Sequence, residues 1–144
     1  MRRFALVALS AGLLLLLSGC GQDVPVPAPR RVEGLTLELD AGRKWQVDDH
    51  TRGSAAAMTA LLDDATPIDS VDDARSLAAE LDEELQTLIA GCTMTGPAHD
   101  QLHGVLAALF PRLKILKEET DLTKLQATRQ ELGSIFDSYE YHFE

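Results

Sequence analysis

The sequence predicts an all-α fold, an antiparallel up-and-down four-helix bundle preceded by a signal peptide and an extended tether. Three observations predict it. Aromatic residues are only 5% of the 144 residues, with one Trp, too few for the core of a β-sandwich or barrel. Ala and Leu, the best helix formers, dominate the apolar residues. From Trp45 onward, apolar residues recur at three- and four-residue steps in four blocks separated by short polar breaks.

The N-terminus reads as an export signal. Arg2 and Arg3 form a basic start, and Phe4 to Leu17 is an uncharged apolar run. A spanning helix needs about 20 apolar residues, so the run is short for a membrane anchor and suits a cleaved signal. It ends in Leu17-Ser18-Gly19-Cys20, which resembles the lipobox of bacterial lipoproteins. That resemblance implies cleavage after residue 19, acylation of Cys20 and attachment by lipid alone. Gly21 stands where inner-membrane retention usually has Asp, which implies the periplasmic face of an outer membrane. Loss of Arg2 and Arg3 takes the basic residues from 13 to 11 against 23 acidic ones, a mature charge near −12. Such a surface excludes nucleic acid as a partner, since phosphate binding needs basic charge. Cys92 would then be the only unmodified thiol, without a partner for an intrachain disulfide.

Residues 20–44 are expected to form the lipidated tether. Pro25, Pro27 and Pro29 alternate with other residues as in extended polyproline chain. Leu35 to Asp40 alternates with period two, but a single strand has nothing to pair with. It is therefore expected to lie as extended chain on the helical body, with a turn at Ala41-Gly42.

Residues 45–144 are expected to form the bundle domain. The first helix carries Val47, Thr51, Ala55, Met58, Leu61 and Leu62 on one face, with Asp48 or Asp49 as its cap, and ends at Thr66-Pro67. Ser70 with Asp73 forms a capping box for the second, whose stripe is Ala74, Leu77, Ala78, Leu81, Leu85 and Leu88. Gly91 is expected to terminate it. Pro97 suits the first turn of the third, with the stripe Leu102, Val105, Leu106, Leu109, Leu113 and Leu116. The apolar register continues across Pro111, which is expected to kink this helix without ending it. Asp121 opens the fourth, through Leu125, Leu132, Ile135, Phe136, Tyr139 and Phe143. Leu81, Leu85, Leu106, Leu109 and Leu132 are expected in the core.

Bundle topology places the metal-capable side chains at one end. His50 lies where the first helix starts, Cys92 and Met94 where the second ends, His99 and His103 where the third starts, and His142 where the fourth ends. His99 and His103, four apart, share a helix face. Folding of the loop over that face would join Cys92, Met94, His99 and His103 in a soft donor set suited to Cu(I), or to Zn(II) without Met94. His50, His142 and Met58 are accessory candidates. The expected function is soft-metal binding by a lipid-anchored periplasmic protein. The alternative is a non-metal structural or interaction lipoprotein with an envelope protein partner. No catalytic residues are assigned: the sequence has no Gly-rich phosphate loop, no His-Glu-x-x-His string and no recognisable Ser-His-Asp arrangement.

Two further resemblances bear on function. The stretch from Lys44-Trp45 through Cys92-x-Met94-x-Gly96-x-x-His99 to Tyr139-Glu140-Tyr141-His142-Phe143 resembles small periplasmic proteins and lipoproteins of Gram-negative bacteria, a likeness that brings no activity with it. The layout is also similar to the periplasmic haem-b four-helix cytochromes, which implies Met58 and His142 as axial ligands. The two would sit about 10 Å apart in height along the bundle.

Overall fold

The computed structural model describes residues 28–65 and 67–144. The signal segment, Cys20 and the first part of the tether lie outside the described residues. Four helices follow: α1 (Asp49–Asp64), α2 (Val71–Gly91), α3 (Pro97–Glu118) and α4 (Leu122–His142). The connections between them, 65–70, 92–96 and 119–121, are short enough to force each helix back along its predecessor. Each packs on its chain neighbour, α1 closes the ring against α4, and α2 meets α4 across the diagonal. No described helix is long and apolar enough to cross a membrane.

The local signals explain where each helix begins. Asp48 caps α1 by accepting from the Thr51 N–H at 2.7 Å. Ser70 and Asp73 make both bonds of a capping box: the Asp73 N–H donates to Ser70 Oγ at 3.1 Å and the Ser70 N–H to Asp73 Oδ2 at 2.8 Å. Pro97 occupies the first turn of α3, behind Gly96, whose φ of 71° is a conformation that side chains strain to adopt. Asp121 caps α4 through the Thr123 N–H at 2.9 Å. α3 runs through Pro111 to Glu118, as the continuing apolar register requires.

The α2 stripe is buried at all six positions, and the core also takes Met58, Leu109, Leu125, Leu132, Ile135, Phe136, Tyr139 and Phe143. Leu106 differs from expectation: it is only half-buried, and Ala108 takes the inward place beside Leu109. The residues ahead of the Asp48 cap also differ from the helical pattern. Trp45 and Val47 are extended chain, because both pair with the C-terminus. The Trp45 N–H donates to His142 O at 2.7 Å, the Glu144 N–H to Trp45 O at 2.9 Å and the Val47 N–H to Glu144 O at 3.0 Å. Trp45 and Phe143 thus form an isolated parallel bridge.

The packed body begins well before residue 45. Val32 is buried in the core, and Leu35 and Leu37 pack against it. Residues 28–48 form a strap over the helices, as expected for Leu35–Asp40. Arg112 of α3 clamps it, donating from Nη2 to Glu33 O at 2.9 Å while its Nε pairs with Glu131 of α4 at 3.0 Å. The Glu38 N–H donates to Gln101 Oε1 at 2.9 Å and the Trp45 indole to Glu38 O at 2.6 Å. Arg129 of α4 donates to Leu62 O and Ala65 O, meeting carbonyls that the end of α1 would otherwise leave unpaired.

Candidate functional site

The metal-capable residues do gather at one pole. Asp48, at the start of α1, reaches the α2–α3 loop: its Oδ2 accepts from the Thr93 N–H at 2.7 Å and from Thr93 Oγ1 at 2.8 Å. The Thr51 N–H, with those two Thr93 donors, holds the Asp48 carboxyl far below the ordinary carboxylate range. This tie was not legible from spacing, because Asp48 and Thr93 lie on separate elements.

Two of the four imidazoles are committed to protein carbonyls. His50 donates from Nε2 to Thr87 O at 2.8 Å. Its ring lies directly over the Gly91 backbone, in the place a Cβ would occupy. Gly91 is therefore not the left-handed terminator expected of it. It is the last helical residue of α2, with Cys92 as the extended C-cap, and its lack of a side chain makes room for His50. His142 donates from Nδ1 to Ser138 O at 2.7 Å, which leaves Nε2 with a lone pair when the ring is neutral.

The other two imidazoles lie edge to face. The His99 and His103 rings have centroids 4.3 Å apart at 63°. Among the hydrogen bonds of the described residues, neither ring is bonded to a protein group. His99 is half-buried and His103 exposed, so the pair opens to solvent on the first turns of α3.

The two sulfurs are placed differently. Cys92 and Met94 are half-buried and pack against the apolar core. Among the described residues no group of three or more His, Cys, Asp or Glu side chains is placed to hold one metal ion. The loop that would close Cys92 and Met94 over His99 is held by Thr93 to Asp48. The four-residue cluster Cys92, Met94, His99 and His103 is thus brought to one pole, while the side-chain pairing that the structure presents is His99 with His103.

Met58 is buried in the core of α1. His142 lines a cleft between the strap and α4, and Met58 does not line that cleft. Comparison of the chain with family models, with curated proteins and with solved structures finds no match in any of the three.

Proposed function

We propose that the chain is a lipid-anchored envelope protein whose bundle binds a divalent ion of borderline softness through His99 and His103. The anchor reading rests on the Leu17-Ser18-Gly19-Cys20 string following an apolar run. The metal reading rests on one observation, the neighbouring His99 and His103 rings, edge to face with centroids 4.3 Å apart. Two imidazole nitrogens that share an ion at 2.0–2.1 Å lie about 3.3 Å apart in tetrahedral geometry. Neighbouring rings at i and i+4 reach that separation by rotation about their side-chain bonds. Imidazole without thiolate favours Cu(II) and Zn(II) over Cu(I). The positive end of α3 opposes a cation by about 0.3–1 kcal/mol, and Asp100 in the same turn offsets part of that.

The test is calorimetric titration of the mature chain with Cu(II) and with Zn(II). One ion per chain is expected, with His99→Ala and His103→Ala each abolishing the binding and Cys92→Ser leaving it intact. Binding should also raise the unfolding temperature by mass action. No binding by either metal would overturn the reading. Loss of binding in Cys92→Ser would replace it with the four-residue soft site. The anchor is tested separately by the mass of the mature N-terminal peptide, which Cys20→Ser should strip of its acyl chains.

A further inference from the structure

A cleft of 520 Å³ lies between residues 28–37 of the strap and the last turns of α4, where Ser138, Tyr141 and His142 form its far wall. That volume falls in the range of small-ligand sites. A turn shapes it: the Leu35 N–H donates to Val32 O at 3.2 Å, and Gly34 carries the φ of 77° that the turn requires. Val32 anchors the turn in the core, and Arg112 clamps Glu33 O, so the arch over the cleft is held at two points.

The charge of the lining runs against the charge of the chain. In a protein of net charge −10, Arg30 and Arg31 both line this cleft, with Glu33 as the one acidic side chain. Neither arginine takes part in the ion pairs of the described residues. His142 Nε2 and the Tyr141 phenol add two polar groups, with the Tyr141 and His142 rings edge to face at 5.0 Å. The end of a helix normally repels an anion through its unpaired carbonyls. Here the carbonyls of Ser138, Tyr139 and His142 are taken by the His142 ring, the Phe143 N–H and the Trp45 N–H, which leaves those of Glu140 and Tyr141 for the two arginines to outweigh. Two guanidinium forks are the donor geometry that matches phosphate oxygens. Leu35, Leu37 and Pro29 add apolar lining to the wall.

We propose that this cleft binds a phosphate-headed amphiphile, a phospholipid whose phosphate meets Arg30 and Arg31 and whose first chain carbons lie against the strap. This site stands apart from the His99–His103 reading and does not depend on it. Trp45 is the only tryptophan, and its indole donates to Glu38 O, next to the strap residues that line the cleft, so its fluorescence reports on the strap.

The mature chain is titrated with dihexanoylphosphatidylglycerol below its micellar concentration, with inorganic phosphate, and with dihexanoylglycerol, which has the same tails and no phosphate. Saturable change in Trp45 emission is expected with the phospholipid, at least ten-fold tighter than with inorganic phosphate and absent with dihexanoylglycerol. Arg30→Gln and Arg31→Gln should each weaken it about ten-fold, the loss of one charge-assisted contact. Arg43→Gln, whose side chain pairs with Asp40 outside the cleft, should leave it unchanged. Equal affinity for inorganic phosphate or for dihexanoylglycerol, or affinity unaltered in both cleft variants, would overturn the proposal.

Discussion

Substituting Gly91 by Ala tests whether His50 sits where the structure places it. A Cβ on Gly91 would overlap the imidazole ring, so the ring must swing out and give up its bond to Thr87 O. A neutral hydrogen bond of this kind contributes about 0.5–1.5 kcal/mol. His50 is exposed, so the displaced ring finds water and leaves no buried vacancy. Against that loss, Gly→Ala at a helical position with ordinary φ stabilises by about 0.4–1 kcal/mol, chiefly through the unfolded chain. Gly91→Ala alone should therefore change stability by less than about 0.5 kcal/mol, the two effects cancelling. In a His50→Ala background there is no ring to displace, and the same substitution should stabilise by about 0.4–1 kcal/mol. The double-mutant cycle should return a coupling of about 1 kcal/mol between residues 41 positions apart in sequence. Urea denaturation followed by far-UV circular dichroism measures all four stabilities. An equal gain in both backgrounds would mean the ring does not lie over Gly91. A loss above about 3 kcal/mol in the His50 background would mean that the ring cannot move aside.

Other perturbations separate the remaining contacts. Asp48→Asn keeps a cap acceptor for Thr51 but loses the acceptor for Thr93, and should cost about 0.5–1 kcal/mol, the low end because the group faces solvent; Asp48→Ala loses the cap too and should cost about 1 kcal/mol more. Leu132→Ala, at a fully buried position, should cost about 2–5 kcal/mol, and Leu106→Ala, at a half-buried one, less than about 2 kcal/mol in the same denaturation assay. Acid should unfold the protein from its helix starts. Backbone N–H groups of Asp121 and Thr120 hold Glu119 down at about 2, the Ser70 hydroxyl and the Asp69 N–H lower Asp73, and the Thr51 N–H lowers Asp48. Their stabilisation is complete above the ordinary carboxylate pKa near 4 and is lost as pH falls toward 2, which a series of melting temperatures across that range would show. At the alkaline end, burial pushes the Tyr139 phenol up to about 12, so stability should decline as pH rises from 10 toward 12.

What the sequence disclosed and what it withheld follow from the range of the forces involved. Asp48, the Ser70–Asp73 box, Pro97 and Asp121 act on backbone within four residues, so their spacing alone locates three helix starts and a capping box. The α2 stripe was readable because one face of one helix decides its burial. Arg129 on α1, Arg112 on Glu33 and Thr93 on Asp48 join positions 67, 79 and 45 residues apart, and no local pattern encodes them. The same division runs through the site. His99 and His103 meet because the helix period brings i and i+4 together. The directions of Cys92 and Met94 depend on the loop between α2 and α3, whose path Gly96 and the Thr93–Asp48 tie set. Gly91 shows the limit most clearly: its position at the helix end suggested a terminator, and only the neighbouring helix reveals that it makes space.

The Trp45–Phe143 bridge has a mechanical consequence. Its two strands run parallel, with three backbone bonds joining residues 45 and 47 to residues 142 and 144. A pull on the strap side toward residue 28, opposed at Glu144, loads these bonds in shear, so they must break together and not one after another. A pull from that side meets the buried Val32 and the Arg112 clamp on Glu33 before it reaches this short clasp.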